Sequence, residues 1–254
     1  MRIALGVEYN GQSFCGWQSQ LGVPTIQDAL QVALSRIGDA DVAVIAAGRT
    51  DTGVHALEQV VHFDSHSERP LSAWVRGANA LLPKSVAVLW AHAVPDEFHA
   101  RFSAQARSYR YLLLNRAVRG AVQHGRVGWF HAPLNMEQMR EAAQFILGEH
   151  DFSAFRASEC QARTPVKNLA QLDITRQEEM IVFELTADAF LHHMVRNIIG
   201  CLVYVGKGSH PPQWLHEVLQ SRSRERAAPT FAPDGLYLRR INYATQWGLP
   251  QRAQ

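Results

Sequence analysis

Hydrophobic residues near the start of the chain change from a period of two to a helical period. Between Ile3 and Tyr9 every second residue is apolar or aromatic, which predicts a strand with one face on a core. A polar loop follows, and Thr25 with Asp28 then has the spacing of a capping box. Apolar residues recur at helical intervals after it, at Ile26, Ala29, Leu30, Ala33, Leu34 and Ile37. An amphipathic helix is therefore predicted to begin at this cap.

The rest of the first hundred residues completes a six-element pattern. Val42–Ala47 and Gln59–Asp64 are predicted strands, and the glycine-containing segment Gly48–His55 between them is a loop. A second helix is predicted at Ser72–Leu81 and a further strand at Val86–Val94. This β-α-β-β-α-β order is that of a split βαβ, or ferredoxin-like, unit.

A similar order of elements recurs in the remainder of the chain, although the residues themselves show no strong repeat. The predicted elements are a strand at Tyr109–Leu114, a helix capped by Asn135 with an apolar stripe from Met136 to Leu147, hairpin strands at Leu169–Ile174 and Met180–Leu185, helices at His192–Val205 and Gln213–Leu219, and a strand at Leu236–Ile241. The sequence thus predicts an α+β fold with two ferredoxin-like subdomains, residues 1–100 and 101–254. We expect them to form one extended antiparallel sheet, with helices mainly on one face and a central cleft suited to a ligand.

The composition excludes several classes of protein. The 254 residues are 47% hydrophobic and 19% charged, which suits one large or two small globular domains and excludes disorder, collagen and coiled coil. The three cysteines are widely spaced and lack a C-x-x-C motif, so neither a disulfide scaffold nor a cysteine-rich zinc site is predicted. The most apolar stretch, Ile198–Val205, is less than half a membrane span. We therefore expect a cytoplasmic protein with no membrane association.

Positive charge is concentrated in one part of the chain, although the formal net charge is only +2. Between Phe98 and Met136 there are six arginines and no carboxylate. The arginines are Arg101, Arg107, Arg110, Arg116, Arg119 and Arg126. Because guanidinium groups match phosphate oxygens and remain charged, such a surface suits a phosphate-bearing partner. Scattered, solvated arginines are an equally good interpretation.

The densest polar cluster in an apolar neighbourhood is the loop Ala47–His55. It contains Arg49, Asp51 and two glycines that allow tight backbone geometry, which makes it the first candidate site. The alternative is a plain turn in which Asp51 binds nearby amides and Arg49 is solvated. The glycines do not form the G-x-x-x-x-G-K-S phosphate loop, so a Walker site is excluded.

Two further residues are candidates for chemistry. Tyr109 is predicted at the start of a strand beside Arg107 and Arg110, where it is either a site residue or a tyrosine packed on the sheet. Arg196 lies roughly 110° from the centre of the apolar stripe of its predicted helix, at the border of the core. His192, one turn away on the same edge, is placed to orient it. The alternative is that Arg196 extends its guanidinium to water.

Motifs for metals and cofactors are absent from the sequence. The twelve histidines include no H-E-x-x-H motif and no pairing with cysteine at ligand spacing. Neither the G-x-S-x-G nucleophile motif nor the Rossmann glycine pattern is present. We therefore predict that the protein needs no metal and no cofactor.

Short blocks that span nearly the whole chain occur together, in the same order, in one known family. The blocks are Gly16–Gln18, Gly48–His55, Gln59–Phe63, Phe98–Ala104, Arg107–Tyr109, Phe190–Asn197 and Gly235–Leu238. Together they resemble the tRNA pseudouridine synthase A family. The resemblance implies a cofactor-free isomerase, active as a homodimer, that converts uridine to pseudouridine at positions 38 to 40 of the tRNA anticodon stem-loop.

The resemblance also implies roles for individual residues. Asp51 matches the catalytic aspartate, Tyr109 the active-site tyrosine, and Arg196 the arginine that pairs with the aspartate. Arg49, Tyr109 and His192 are then expected to bind the flipped-out nucleotide. The arginines expected at the RNA backbone are Arg101, Arg107, Arg110, Arg116 and Arg119.

The chemistry of this reaction suits these residues. Moving the sugar C1′ from N1 to C5 of the base requires an ionised carboxylate, which acts either as a nucleophile or as a base toward the sugar. A nearby guanidinium keeps such a carboxylate ionised. The base leaves its stack, and a ring such as that of Tyr109 can cover its face or accept the C5 proton.

Two positions depart from the family, since Thr52 replaces a common alanine and Gln18–Gln20 lacks a basic residue that relatives often carry.

Two other functions fit parts of the sequence. An RNA-binding module that has lost catalysis would keep the scaffold, but Asp51, Tyr109 and Arg196 are all present. A phosphodiesterase that uses His192 and His193 is disfavoured, because adjacent residues of a helix diverge by about 100°.

Overall fold

The computed structural model of the chain describes residues 1–250. Contacts divide the chain into two compact units. Unit 1 consists of Met1–Gln105 with the chain from Tyr237 on, and unit 2 consists of Ala106–Leu236. The last strand therefore belongs with unit 1 by its contacts. The division into subdomains at residues 1–100 and 101–254 stays a prediction.

Unit 1 begins with the six-element pattern predicted from the sequence. Its elements are β1 (Arg2–Tyr9), α1 (Ile26–Gly38), β2 (Ile45–Ala46), β3 (His55–Asp64), α2 (Leu71–Leu81) and β4 (Val86–Val94). β1 lies between β4 and β3, β2 pairs with β3, and all of these pairs are antiparallel. The resulting strand order, β4-β1-β3-β2, is that of a ferredoxin-like unit.

The helices of unit 1 are fixed by a cap and by aromatic packing. The Thr25 hydroxyl accepts a hydrogen bond from the backbone N–H of Asp28 at 3.2 Å, so the predicted cap of α1 is confirmed. On α2, the fully buried Trp74 packs against Phe63 of β3 with 5.0 Å between ring centroids. This contact places α2 on the face of the sheet that carries Phe63.

The predicted strand Val42–Ala47 is wrong in length, because only Ile45–Ala46 pairs with the sheet. The backbone N–H of Val42 donates to the Ser35 hydroxyl at 2.9 Å, and the N–H of Val44 donates to Gln31 Oε1 at 3.0 Å. Side chains of α1 therefore take the donors that a longer strand would use in the ladder.

Unit 2 contains a second antiparallel set of strands with its own helices. The elements from residue 104 on are β5 (Ala104–Asn115), β6 (Gly128–Phe130), α3 (Met136–Gln144), β7 (Gly148–Asp151), β8 (Val166–Gln177), β9 (Met180–Ala187), α4 (Met194–Gly206), α5 (Gln213–Ser221) and β10 (Leu236–Tyr243). β9 pairs with β5 and β8, and β7 pairs with β8, all antiparallel. β6 is parallel to β5, and β10 is parallel to β3 of unit 1. The predicted α+β class with mostly antiparallel strands is confirmed.

The ends of several elements differ from the prediction; β3, for example, begins at His55 rather than Gln59. α4 begins at Met194 rather than His192, because His193 has a φ of 64°, in the left-handed region that a right-handed helix excludes. β5 begins at Ala104, so Tyr109 lies within the strand rather than at its start. α3 ends at Gln144, before the last residues of its predicted stripe. The short strands β6 and β7 were not predicted, because three or four residues are too few to display a period.

Two negative expectations concern the whole chain. In residues 1–250, no helix has both the length and the apolar character needed to cross a membrane. All three cysteines are free thiols, and Cys201 is buried. Location in the cytoplasm stays a prediction.

Candidate active site

The loop of residues 47–54, which carries Asp51, is anchored to neighbouring backbone along its length. The anchoring hydrogen bonds run from the Ala47 N–H to the Val60 carbonyl (2.8 Å), from Gln59 Nε2 to the Gly48 carbonyl (2.7 Å), from the Trp17 N–H to the Thr50 carbonyl (3.0 Å), and from the Val54 N–H to the Asp51 carbonyl (3.1 Å). Because both ends and the middle are held, the backbone beneath Asp51 has a fixed conformation.

The residue before Asp51 is also held through its side chain. The Tyr9 hydroxyl lies 2.8 Å from the Thr50 hydroxyl, and both residues are buried. Burial raises the pKa of Tyr9 to about 12, so its phenol is neutral at physiological pH and retains its proton. The sequence pattern places Tyr9 in a strand but does not predict its contact with Thr50, because the two residues are 41 positions apart.

Two glycines allow other backbone segments to approach the loop. A Cβ at Gly16, whose φ is 85°, would lie 2.8 Å from the Thr50 carbonyl oxygen. A Cβ at Gly11 would overlap the Val54 carbonyl, and the Gly11 N–H donates to Nδ1 of the buried His55 at 3.1 Å. Larger residues at either glycine would displace the loop.

Asp51 itself is half-buried, whereas its neighbours Arg49 and Thr52 are exposed. The segment is a turn, closed by the hydrogen bond from the Val54 N–H to the main-chain oxygen of Asp51. Because the loop backbone is anchored, the Cα atom from which the Asp51 side chain extends has a fixed position. A fixed, partly enclosed carboxylate is what a catalytic nucleophile or base requires.

Tyr109 lies on β5 and is half-buried. It is directly opposite Leu185 of β9, and its ring meets Phe190 edge to face with 5.0 Å between centroids. Aromatic packing therefore fixes the ring, in keeping with the packed-tyrosine interpretation. Sequence analysis missed Phe190 as its neighbour, although Phe190 begins one of the family blocks.

Arg196 is half-buried on the first turn of α4 and is held by one residue at two points. Its Nε donates to the Phe231 carbonyl at 2.8 Å, and the Phe231 N–H donates to the Arg196 carbonyl at 3.2 Å. The side chain thus has a protein partner rather than extending to water alone. The partner is a main-chain carbonyl 35 residues away, which the sequence pattern could not reveal.

His192 does not lie one helical turn from Arg196, because the helix begins two residues later. A loop instead holds both main-chain groups of His192. The Ala157 N–H donates to its carbonyl at 3.0 Å, and its own N–H donates to Cys160 Sγ at 3.4 Å. The His192 and His193 rings are only 4.1 Å apart, so the helical-divergence argument against a paired-histidine site is wrong.

The predicted RNA-backbone arginines are not all equivalent. Arg110 pairs with Glu184 at 2.6 Å, and Arg116 pairs with Glu179 at 2.9 Å, so strand pairing supplies carboxylates that are distant in sequence. Arg107, half-buried, donates to the Asp188 carbonyl at 2.8 Å. The exposed arginines of this set are Arg101 and Arg119.

The candidate residues are divided between the two units. Asp51 and Arg49 belong to unit 1, whereas Tyr109, His192 and Arg196 belong to unit 2. The predicted pairing of Asp51 with Arg196 stays a prediction.

Comparison with known proteins gives the same family as the sequence blocks. A family model described as tRNA pseudouridine synthase matches residues 6–103 and 142–244. The chain is 58% identical to tRNA pseudouridine synthase A of Chromobacterium violaceum over 255 residues, covering 100% of this chain and 97% of the relative. It is 57% identical to the protein of the same name from Dechloromonas aromatica over 250 residues, covering 98% and 95%.

One match to a solved structure is more distant. A chain of a Cbf5-Nop10-Gar1 complex matches with a TM-score of 0.44 and 10% identity, covering 93% of this chain and 48% of that chain. The assignment therefore depends on the family model and the full-length relatives. The chain belongs to the tRNA pseudouridine synthase family, a family of isomerases.

Proposed function

We propose that this protein converts uridine to pseudouridine at positions 38 to 40 of the tRNA anticodon stem-loop, with Asp51 as the catalytic carboxylate. The observation that carries the proposal is the Asp51 loop. Its backbone is anchored along its length, its neighbour Thr50 is buried against Tyr9, and Asp51 is half-buried. Such a rigid support for one carboxylate is expected of a catalytic group and has no use in a solvated turn.

The reaction exchanges one bond for another on the same sugar. The bond from C1′ to N1 breaks, the base turns and C1′ bonds to C5. The C5 proton then leaves and N1 takes up a proton from solvent, so that the product is an isomer of the substrate. Asp51 acts on the sugar as nucleophile or base, and Arg196 is its proposed partner. Tyr109, whose ring is fixed by Phe190, covers the flipped base, and its phenol oxygen accepts the C5 proton as the phenol's own proton passes to solvent.

RNA binding uses the arginines before, on and after β5. The exposed Arg101 and Arg119 contact phosphates directly, whereas Arg110 and Arg116 exchange their carboxylate partners for phosphates or support the surface from within. Arg49 and His192 bind the flipped nucleotide. The protein acts as a cytoplasmic homodimer without metal or cofactor, and its oligomeric state is checked by sedimentation velocity.

The direct test is to incubate the purified protein with unmodified tRNA transcripts and to map pseudouridine by carbodiimide treatment and primer extension. Stops are expected only at positions 38 to 40, and the Asp51→Asn variant should give none. Stops elsewhere in the tRNA would contradict the assigned target. Tight tRNA binding without any stop by the wild-type protein would instead identify an RNA-binding module that has lost catalysis.

A further inference from the structure

Residues 228–232, here called the clasp segment, lie along α4 and are fixed to unit 2 at several points. The contacts are the hydrogen bonds from the Ala228 N–H to Cys201 Sγ (3.3 Å), from the Phe231 N–H to the Arg196 carbonyl (3.2 Å), from Arg196 Nε to the Phe231 carbonyl (2.8 Å), and from the Tyr111 hydroxyl to the Ala232 carbonyl (2.8 Å). The approach is close enough that a Cβ at Gly200 would overlap the Pro229 carbonyl. The clasp segment therefore sets where the Phe231 carbonyl lies.

A polar network holds the clasp segment next to Arg196. Asn197, which follows Arg196 on α4, is fully buried. Its Oδ1 accepts from the Thr230 hydroxyl at 2.7 Å and from Arg224 at 3.2 Å, and its Nδ2 donates to the Phe155 carbonyl at 2.8 Å. Arg224 also donates to the Thr230 hydroxyl oxygen at 3.0 Å.

The direction of these hydrogen bonds makes Thr230 the centre of the network. Arg224 has only donors, so the Thr230 hydroxyl accepts from Arg224 and gives its own proton to Asn197. The side-chain amide of Asn197 in turn donates to the Phe155 carbonyl. A buried network of this kind is rigid when every member is satisfied, and it loosens when one member is removed. Thr230 is the residue next to Phe231, so the network ends one peptide from the carbonyl that holds Arg196.

We propose that Thr230, with Asn197 and Arg224, is a positioning residue that sets the orientation of the Arg196 guanidinium. A guanidinium is planar, so fixing Nε against the Phe231 carbonyl also fixes the direction of its two terminal nitrogens. In this role Thr230 acts on Arg196 through the Phe231 carbonyl. The inference rests on the proposed function for the part that Arg196 plays in the reaction.

The first test is a pair of substitutions at Thr230. Thr230→Val keeps the shape but removes the hydroxyl, and we expect kcat to fall between about tenfold and a hundredfold, since small misplacements of a reacting group have effects of that size. The KM for tRNA should stay within about twofold, because RNA contacts are unchanged. Thr230→Ser restores the hydroxyl and should restore kcat.

A matched control separates positioning from stability. Asn135→Ala removes the cap of α3 in the same unit, where the Asn135 side chain accepts from the Gln138 N–H, and it should lower the melting temperature without lowering kcat at 25 °C. A loss of kcat in Asn135→Ala equal to that in Thr230→Val would overturn the inference, since stability alone would then explain both.

Two further measurements follow Arg196 itself. In an Arg196→Lys background, Thr230→Val should lower kcat by less than about twofold, because the residue through which it acts is already altered. Independent, multiplying losses would overturn the inference. In ¹⁵N-labelled protein, the Nε–H signal of Arg196, assigned by its loss in Arg196→Lys, should shift or broaden in Thr230→Val and return in Thr230→Ser.

The NMR signal distinguishes a failure of this inference from a failure of the proposed function. An unchanged Arg196 signal in Thr230→Val would overturn the positioning role, whatever the activity. A changed signal with full activity would instead refute the part assigned to Arg196 in the reaction, while the hold of the network on Arg196 would stand.

Discussion

Protonation of His62 is expected to destabilise the folded protein in acid. This residue of β3 is 2% exposed, and its Nδ1 accepts a hydrogen bond from the Ala100 N–H at 3.1 Å. Burial, with the nearby positive charges of His99 and Arg2, lowers the pKa of His62 from 6.5 to about 4. The folded state therefore favours the neutral imidazole of His62. In the unfolded chain the same ring is protonated at a higher pH.

The size of the effect follows from the two pKa values. A pKa difference of about 2.5, at about 1.4 kcal/mol for each unit, corresponds to at most about 3.5 kcal/mol. This contribution is fully present above pH 6.5 and is lost as pH falls to about 4. A loss of that size is a large part of the stability of an ordinary domain.

Urea unfolding from pH 7.5 to pH 4, followed by circular dichroism, measures this loss. His62→Asn keeps an acceptor near the position of Nδ1 but cannot be protonated, so its free energy of unfolding should fall less steeply below pH 6.5 than that of the wild type. The carboxylate of Asp151, whose pKa is also lowered, weakens the fold in acid, but it is common to both proteins and cancels in the difference. Asp64 interacts with His62, so its contribution is part of the measured difference. His124→Asn, at an exposed histidine, should follow the wild-type curve. Parallel curves for wild type and His62→Asn would refute the reasoning.

Three further predictions concern the reaction. Tyr109→Phe keeps the ring and removes the phenol oxygen, so tRNA affinity in a filter-binding assay should persist while pseudouridine formation fails; full activity would make the phenol a packing group. Arg196→Met keeps the apolar stem and removes the charge that the proposed pairing gives to Asp51, so pseudouridine formation should fail; activity close to that of the wild type would exclude the pairing. Replacing Arg116 and Arg119 with alanine should reduce the slope of log affinity against log salt by about one for each lost phosphate contact, and an unchanged slope would place the RNA elsewhere.

Local signals in the sequence predicted most of the fold. The cap at Thr25 and the cap at Asn135 were read correctly, because each needs only residues within one helical turn. The alternation in β1 predicted the strand for the same reason, but not its burial, because Ala4 and Gly6 between the alternating residues are buried as well. The strand at Val42–Ala47 failed because side chains of α1 capture its backbone donors, a contact that no local pattern contains.

The candidate site shows the same limit. The position of Asp51 on a glycine-containing loop follows from the sequence, but its anchoring by Trp17 and the Tyr9–Thr50 contact depend on the packing of distant segments. The start of α4 was misplaced because a left-handed residue at His193 is imposed by its surroundings and not by histidine's own preference. Main-chain partners, such as the Phe231 carbonyl, cannot be predicted from residue type, because every residue has a main-chain carbonyl.

Release of tritium from tRNA that carries [5-³H]uridine measures the role of Asp51 most directly, because the C5 proton leaves only when the base has been rejoined. Under single-turnover conditions, with enzyme in excess and RNA binding checked separately, the wild-type protein should release the label from positions 38 to 40. Asp51→Asn is nearly isosteric and should bind the tRNA within a few-fold of wild type while releasing none. Loss of a key catalytic group leaves a residual rate of about one part in a thousand of the wild-type rate. Release of the label faster than that by Asp51→Asn would contradict the assignment of Asp51 as the essential carboxylate.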